Sequence, residues 1–367
     1  MPNLSDQIKQ LILAKGPITI AQYMEEALGH PRLGYYMAES PFGCSGDFIT
    51  APEISQMFGE LIGLWLGVQW REMGALEPFN LIELGPGRGT LMSDILRVSR
   101  GVDGFLESLD ISLVEISPMM KGLQEDTLLD SIGNEVRRVR ALRWISQFTE
   151  VPEGPFAVIA NEFIDVLGIR QFQKTSQGWR ERLIDISKSE PFKFHFVISE
   201  SSPEEGIVPS DLKNVCSGDI IEVRPAASDL IHEISCRLKR NRGCVLIIDY
   251  GHNMTACGDT LQAVKSHASH DPMVEPGTAD ITAHVDFGAL CKVAINSGAS
   301  VFGPVTQGDF LNALGIQARA SVLTQSSPSN AHEITDALSR LTSENGMGSL
   351  FKVLAITSPG LLAPPGF

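Results

Sequence analysis

Residues 81–90 read Leu-Ile-Glu-Leu-Gly-Pro-Gly-Arg-Gly-Thr. An apolar run ends in a carboxylate, Glu83, and is followed by Gly85, Gly87 and Gly89. A strand that runs into a glycine-rich turn and then a helix is the sequence form of a nucleotide-type binding loop. The dinucleotide version is GxGxxG. Here the pattern is GxGxG, and Thr90 stands where the third glycine of that version would fall. Glu83 would meet a pyrophosphate with like charge, and Pro86 removes a backbone N–H that a phosphate could have used.

S-adenosylmethionine reverses these signs. It carries an ammonium and a sulfonium, both welcome beside a carboxylate at 83. The glycines let backbone approach its methionine part closely, and the N-terminus of the following helix favours its carboxylate. A second acid should end the next strand and hold the ribose hydroxyls. Glu115, in "SLVEIS", meets that requirement. It lies 30 residues after Gly85 (115 minus 85), longer than the about 20 of dinucleotide folds. A glycine-rich turn with no ligand and an NAD site stay open as alternatives.

Working outward, residues 79 onward alternate strand and helix. "FNLIEL", "DISLVEI", "VRRVRALRW", "FAVIANEF" and "CVLIIDYG" read as strands, with helices at "TLMSDILRVSR" and "SPMMKGLQEDTLL". That grammar predicts an α/β fold with a mostly parallel sheet covered by helices. "SVFGPVT" and "SLFKVLAIT" are expected to close it as an antiparallel edge pair. Residues 170–217 differ: a hairpin around Gly178 and a polar stretch, "SESSPEEG", read as an insertion in the sheet domain. A second insertion is expected at about 308–345.

The first 75 residues are expected to be a helical extension. Leu4, Ile8, Leu11 and Ile12 share a helical face that Gly16-Pro17 stops, and Thr19 is placed to cap a second helix. A long helix is predicted from Glu53 to Met73, its apolar face made by Ile54, Met57, Phe58, Leu61, Leu64, Trp65 and Val68. Gly59, Gly63 and Gly67 recur every four residues along it, a spacing that admits a close neighbour. Before it, "GDFITAPE" at 46–53 either folds over the cofactor or simply enters the helix, with Asp47 at its turn.

The other candidate chemistry is "VIANEFID", where Asn161 and Glu162 follow the fourth strand. Ligands of such sheets bind at the carboxyl ends of the strands. Glu162 with Asp165 can grip a guanidinium through paired hydrogen bonds and accept the proton released on alkylation. The plainer alternative is that Glu162 caps a helix start.

Bulk composition narrows the classes. The 367 residues carry 44 acidic and 29 basic side chains, a net charge of −15, which disfavours a general nucleic-acid binder. Six cysteines form no CxxC pair, so neither a zinc site nor a disulfide framework is expected. His267, His270 and His284 lack metal-ligand helix spacing. The longest apolar stretch, 61–68, is too short to span a bilayer. With no leader pattern at the N-terminus, a cytoplasmic location is expected.

Several blocks together resemble the MidA-type family of class I methyltransferases, which includes a mitochondrial arginine methyltransferase required for complex I assembly. They are "YMEEALGHPRLGYY", "GDFITAPEISQMFGELIGLW", "IELGPGRGTLMSDILR", "VEISPMM", "NEFIDVLGIRQF", "LIIDYG", "DITAHVDF" and, near the C-terminus, "MGSLFKVLAI". The change of pattern along the chain sets the expected domain limits at 1–75 and 76–367. The resemblance implies a seven-stranded sheet. It implies S-adenosylmethionine as cofactor, and symmetric dimethylation of an arginine in a core subunit of NADH–quinone oxidoreductase. Glu83, Gly85, Gly87 and Glu115 match the cofactor motifs; Asp47, Asn161, Glu162 and Asp165 fall in family blocks. Gly168 departs from the family, which has proline there, and is expected to loosen that loop. A bind-only assembly chaperone, a methyltransferase of small molecules and a homodimer remain open on these residues.

Overall fold

The computed structural model describes residues 3–37, 49–133, 138–187, 193–210 and 212–367. The chain forms two compact units, 1–48 with 164–230 and 254–289, and 49–163 with 231–253 and 290–367. The segment 49–72 falls in the unit that holds the main sheet.

The second unit holds the main sheet. Its strands are β1 (Phe79–Leu84), β2 (Leu109–Val114), β3 (Ala141–Ile145), β4 (Phe156–Asn161), β5 (Gly243–His252), β6 (Ser300–Thr306) and β7 (Phe351–Thr357). They run in the order β3-β2-β1-β4-β5-β7-β6. β1 to β5 are mutually parallel, and β7 is antiparallel to both its neighbours. This is the seven-stranded class I methyltransferase sheet the sequence led us to expect. β7 and β6 close one side of it as the expected antiparallel edge pair, with β7 on the inside, between β5 and β6. Its run of Val353, Leu354, Ala355 and Ile356, all fully buried, is the composition of an inner strand.

The chain order reverses between β1 and β4, which makes their carboxyl ends the switch point where such sheets bind ligands. One face of the sheet, with Leu81, Leu109, Ile111, Leu113, Ala157 and Ile159, is covered by Met57, Phe58, Leu61, Ile62 and Trp65 and by Leu91, Met92, Ile95 and Leu96. The helix expected from 53 to 73 is two helices, Ala51–Ile54 and Gln56–Glu72. Ser55 separates them in extended conformation, and its side chain caps the second. Leu64 and Val68, expected on the buried face, are 44% and 41% exposed. The glycine stripe turns that helix onto Thr90–Ser99 instead. A Cβ at Gly59 would lie 2.5 Å from Asp94 Cβ, and one at Gly63 would lie 2.4 Å from Val98 Cγ1.

The first unit joins distant segments. Helices Leu4–Lys15 and Ile20–Gly29 pack with strands Gly178–Ile186 and Phe194–Ile198, whose sheet continues through Arg170–Thr175 to Ile220–Val223. Ile18 and Thr19 pair with Ile184 and Leu183. The hairpin at Gly178 forms as expected, and Thr19 closes a capping box with Gln22. Gly168 is not a loose point. A Cβ there would lie 2.9 Å from both Cα and O of Ala21, so the bare backbone is what lets the loop rest on the Ile20–Gly29 helix.

Candidate functional site

Strand register brings the sequence candidates to one end of the sheet. Glu83 is paired in register with Leu113 on β2 and Ile159 on β4. Glu115 and Asn161 therefore stand at the neighbouring strand ends. By the two-residue pleat, Glu83 lies on the same sheet face as Leu81. It is 3% exposed, and Oε2 has no hydrogen-bond partner among the described residues. Burial pushes its carboxyl up to about 8. Asn161 Oδ1 is a second buried acceptor with no partner among the described residues. Buried polar atoms are nearly always paired, so two acceptors at adjacent strand tips without a partner among the described residues leave room for a donor that those residues do not supply.

The loop between β1 and the Thr90–Ser99 helix holds Gly85, Gly87 and Gly89 at φ of 63°, 51° and 83°, a region costly for residues with a Cβ. Gly85 also has a steric reason, since a Cβ would meet Phe163 Cδ2 at 2.7 Å. At Gly87 the same direction is open for 4 Å, which leaves room for a ligand against bare backbone. Thr90, the residue that spoils the dinucleotide pattern, donates from its hydroxyl to Glu53 Oε1 at 2.5 Å.

Glu115 is partly exposed at the end of β2. Its Oε1 accepts from Ser117 N at 2.7 Å and its Oε2 from Gln124 Nε2 at 3.0 Å. Partial burial raises its carboxyl pKa against the pull of these donors. Gln124 was not singled out from the sequence. The signal was there: Met120, Gln124 and Leu128 form the inward stripe of helix Pro118–Ile132, and a polar residue on a buried stripe asks for partners.

Glu162 has φ of 50°, left-handed for a residue with a long side chain. Its N donates to Ile248 O at 2.9 Å. Its Oε1 accepts from Ala51 N at 3.0 Å and from Asn161 Nδ2 at 3.2 Å. The plainer expectation is thus realised in part: Glu162 caps a helix start, that of Ala51–Ile54. Asp165 belongs to the other unit. There its backbone O accepts from Arg224 Nη2 at 3.1 Å and Ala283 N at 3.2 Å. Tyr36, whose hydroxyl donates to Asp280 Oδ1 at 2.7 Å, is pushed above its usual pKa by burial first, then by the Asp280 and Asp165 carboxylates. Asp47 lies outside the described residues.

A family model described as "Putative S-adenosyl-L-methionine-dependent methyltransferase" matches residues 61–305. The chain belongs to this family. The methyltransferase is 39% identical over 363 residues to the rat and human proteins named protein arginine methyltransferase NDUFAF7, mitochondrial, covering 94% of this chain and 82% and 81% of theirs. A Drosophila melanogaster homologue of that name is 38% identical over 98% of this chain. A solved structure from Burkholderia thailandensis, bound to S-adenosyl-homocysteine, superposes with a TM-score of 0.85 at 28% identity. It covers 99% of this chain and 93% of its own.

The methyltransferase uses S-adenosylmethionine, and its residues fit that cofactor. Two orphan acceptors suit an ammonium, which brings three N–H donors. The family model and the S-adenosyl-homocysteine-bound neighbour favour this cofactor over the NAD alternative. Glu115, held on both oxygens, retains lone pairs for ribose hydroxyls. No helix among the described residues is long and apolar enough to cross a membrane.

Proposed function

We propose that this methyltransferase transfers methyl groups to an arginine of a protein, and that its acceptor is a core subunit of NADH–quinone oxidoreductase undergoing assembly. The relatives' name supports the arginine, and their identity extends over nearly the whole chain. The observation that carries the cofactor half is the buried, unpartnered Glu83 Oε2 at the tip of the central strand.

S-adenosylmethionine supplies an activated methyl on a cationic sulfur. The residues assigned to hold it are Glu83 and Asn161 for its charged methionine part, the bare backbone at Gly85, Gly87 and Gly89, and Glu115 for its ribose. Transfer forms a bond from a guanidinium nitrogen to the methyl carbon, breaks the carbon–sulfur bond with its electron pair left on sulfur, and releases a proton from the nitrogen. Glu162 is the carboxylate assigned to orient the guanidinium and accept that proton. Asp165 and Asp47 are the further acids proposed to act on the acceptor. The net charge of −15 suits a cationic target. The cytoplasm is the compartment we assign, and five described cysteines outside any disulfide suit a reducing one.

The deciding experiment incubates purified protein with methyl-labelled S-adenosylmethionine and isolated core subunits of the oxidoreductase, followed by mass spectrometry. Dimethylarginine in one subunit is expected, and its loss in Glu162→Gln. Absence of label from every subunit and every subassembly would remove the acceptor assignment. One observation favours a second reading, a bind-only assembly chaperone: Glu162 Oε1 is already engaged by Ala51 and Asn161. That reading expects cofactor binding and partner capture with no labelled product.

A further inference from the structure

Gln124 sits mid-helix with 0% exposure, and all three of its polar contacts are made inside the cofactor end of the sheet. Its Oε1 accepts from Trp144 Nε1 on β3 at 2.8 Å. Its Nε2 donates to Gly87 O at 2.8 Å and to Glu115 Oε2 at 3.0 Å. An indole N–H can only donate, and a carbonyl and a carboxylate can only accept. The three neighbours therefore permit a single orientation of the amide. A flipped amide would set its oxygen against two acceptors and its NH₂ against a donor.

Glu115 is consequently gripped on both oxygens, by Ser117 N and by Gln124. Its carboxylate plane is set before any ligand arrives, the backbone N–H of Ile116 also drawing on it. The four lone-pair sites of a carboxylate are not all spent by these donors, which leaves it a receptor for hydroxyl donors. The same amide fixes the carbonyl of Gly87, whose Cβ direction is open. We propose that Gln124 is a positioning residue for the cofactor: it orients Glu115 toward the ribose diol and ties that receptor to the glycine loop, with Trp144 locking its amide. This inference rests on the cofactor reading of Glu115.

The test uses the full chain and Gln124→Glu, which keeps the side chain's size but places an acceptor against Gly87 O and Glu115. Calorimetry measures the Kd of S-adenosyl-homocysteine and of its 2′-deoxy analogue, and steady-state assays give KM and kcat for S-adenosylmethionine. We expect Kd and KM to rise about tenfold or more while kcat at saturation stays within about twofold. We also expect the preference for the ribose compound over the deoxy one to collapse toward unity, because a site built for a hydroxyl discriminates only while its acceptor is aimed. A merely structural glutamine would lower Tm and leave that preference intact. Glu115→Ala separates the two levels. If it binds S-adenosyl-homocysteine as the natural protein does, the reading of Glu115 falls. If it weakens binding while folded Gln124→Glu keeps the natural affinity and preference, only the present inference falls. Should Gln124→Glu fail to fold, Trp144→Phe carries the test, since it leaves Gln124 in place and frees its amide; a weakened diol preference is expected, and an unchanged one overturns the inference.

Discussion

The Glu162 carboxylate accepts the backbone N–H of Ala51 at 3.0 Å. Two residues further on, Glu53 accepts the Thr90 hydroxyl. The short Ala51–Ile54 helix is thereby clipped at one end to the tip of β4 and at the other to the helix that follows the glycine loop. Glu162 thus has an anchoring duty as well as the chemical one assigned to it, and the two can be separated.

Glu162→Gln keeps an oxygen to accept from Ala51 but cannot take a proton at neutral pH. Labelled methyl transfer should fall about 100-fold or more, the usual range for a lost general base, with Tm nearly unchanged. Glu162→Ala loses both roles and should lower Tm as well. Full activity in the glutamine variant would confine Glu162 to anchoring.

Glu83 makes a pH prediction. Its folded carboxyl stands at about 8, above its unfolded value, so the folded state holds a proton that the unfolded state has lost over that interval. Its contribution to stability is full below about pH 4.5 and declines as pH rises toward 8. The cationic methionine part favours the ionised form, so its binding expels the proton. Affinity for S-adenosylmethionine should rise by up to about tenfold per pH unit below 8 and then level off. Calorimetry in buffers of different ionisation enthalpy reads the released proton directly. Glu83→Gln should bind more weakly and show a flat profile; an equally steep profile in that variant would assign the titration elsewhere.

Gly63→Ala tests the close approach of two helices. Alanine gains about 1 kcal/mol of helix propensity. Its Cβ, however, would stand 2.4 Å from Val98 Cγ1 and 3.0 Å from Ile95 Cα. The valine can turn, but the backbone of Ile95 cannot yield alone. Overpacking of this kind costs about 1–3 kcal/mol, so a net loss is expected in denaturant titration. A stabilised variant would show that the helices separate freely.

Gly168→Ala should likewise destabilise, by about 1–3 kcal/mol, because Ala21 Cα and O lie 2.9 Å from the added atom. An unchanged midpoint of unfolding would mean that the loop is loose after all.

Much of the site was legible because it is local. A strand, an acid, three glycines and a helix are contiguous from 79 to 99, and Glu115 and Asn161 end their own strands. Thr19 and its partner Gln22 are three residues apart, within reach of one cap. What was misread depends on distant neighbours. The periodicity of 53–73 fits a helix whichever way it is turned, and it could not show that Ser55 interrupts it or that Leu64 and Val68 face outward. Gln124 reads as an ordinary polar helix residue until Trp144, Gly87 and Glu115 are brought around it.

The sequence alone determined which segments become strands and helices and which strand ends carry acids, since those outcomes follow from side-chain period, caps and glycine content within a few residues. Tertiary structure alone decided which of those acids is left unpartnered. A carboxylate's protonation and its remaining lone pairs depend on burial and on donors from far along the chain. Glu83 keeps one oxygen without a partner among the described residues, Glu115 is gripped on both oxygens and Glu162 is engaged as a cap, and no local pattern distinguishes one glutamate from another.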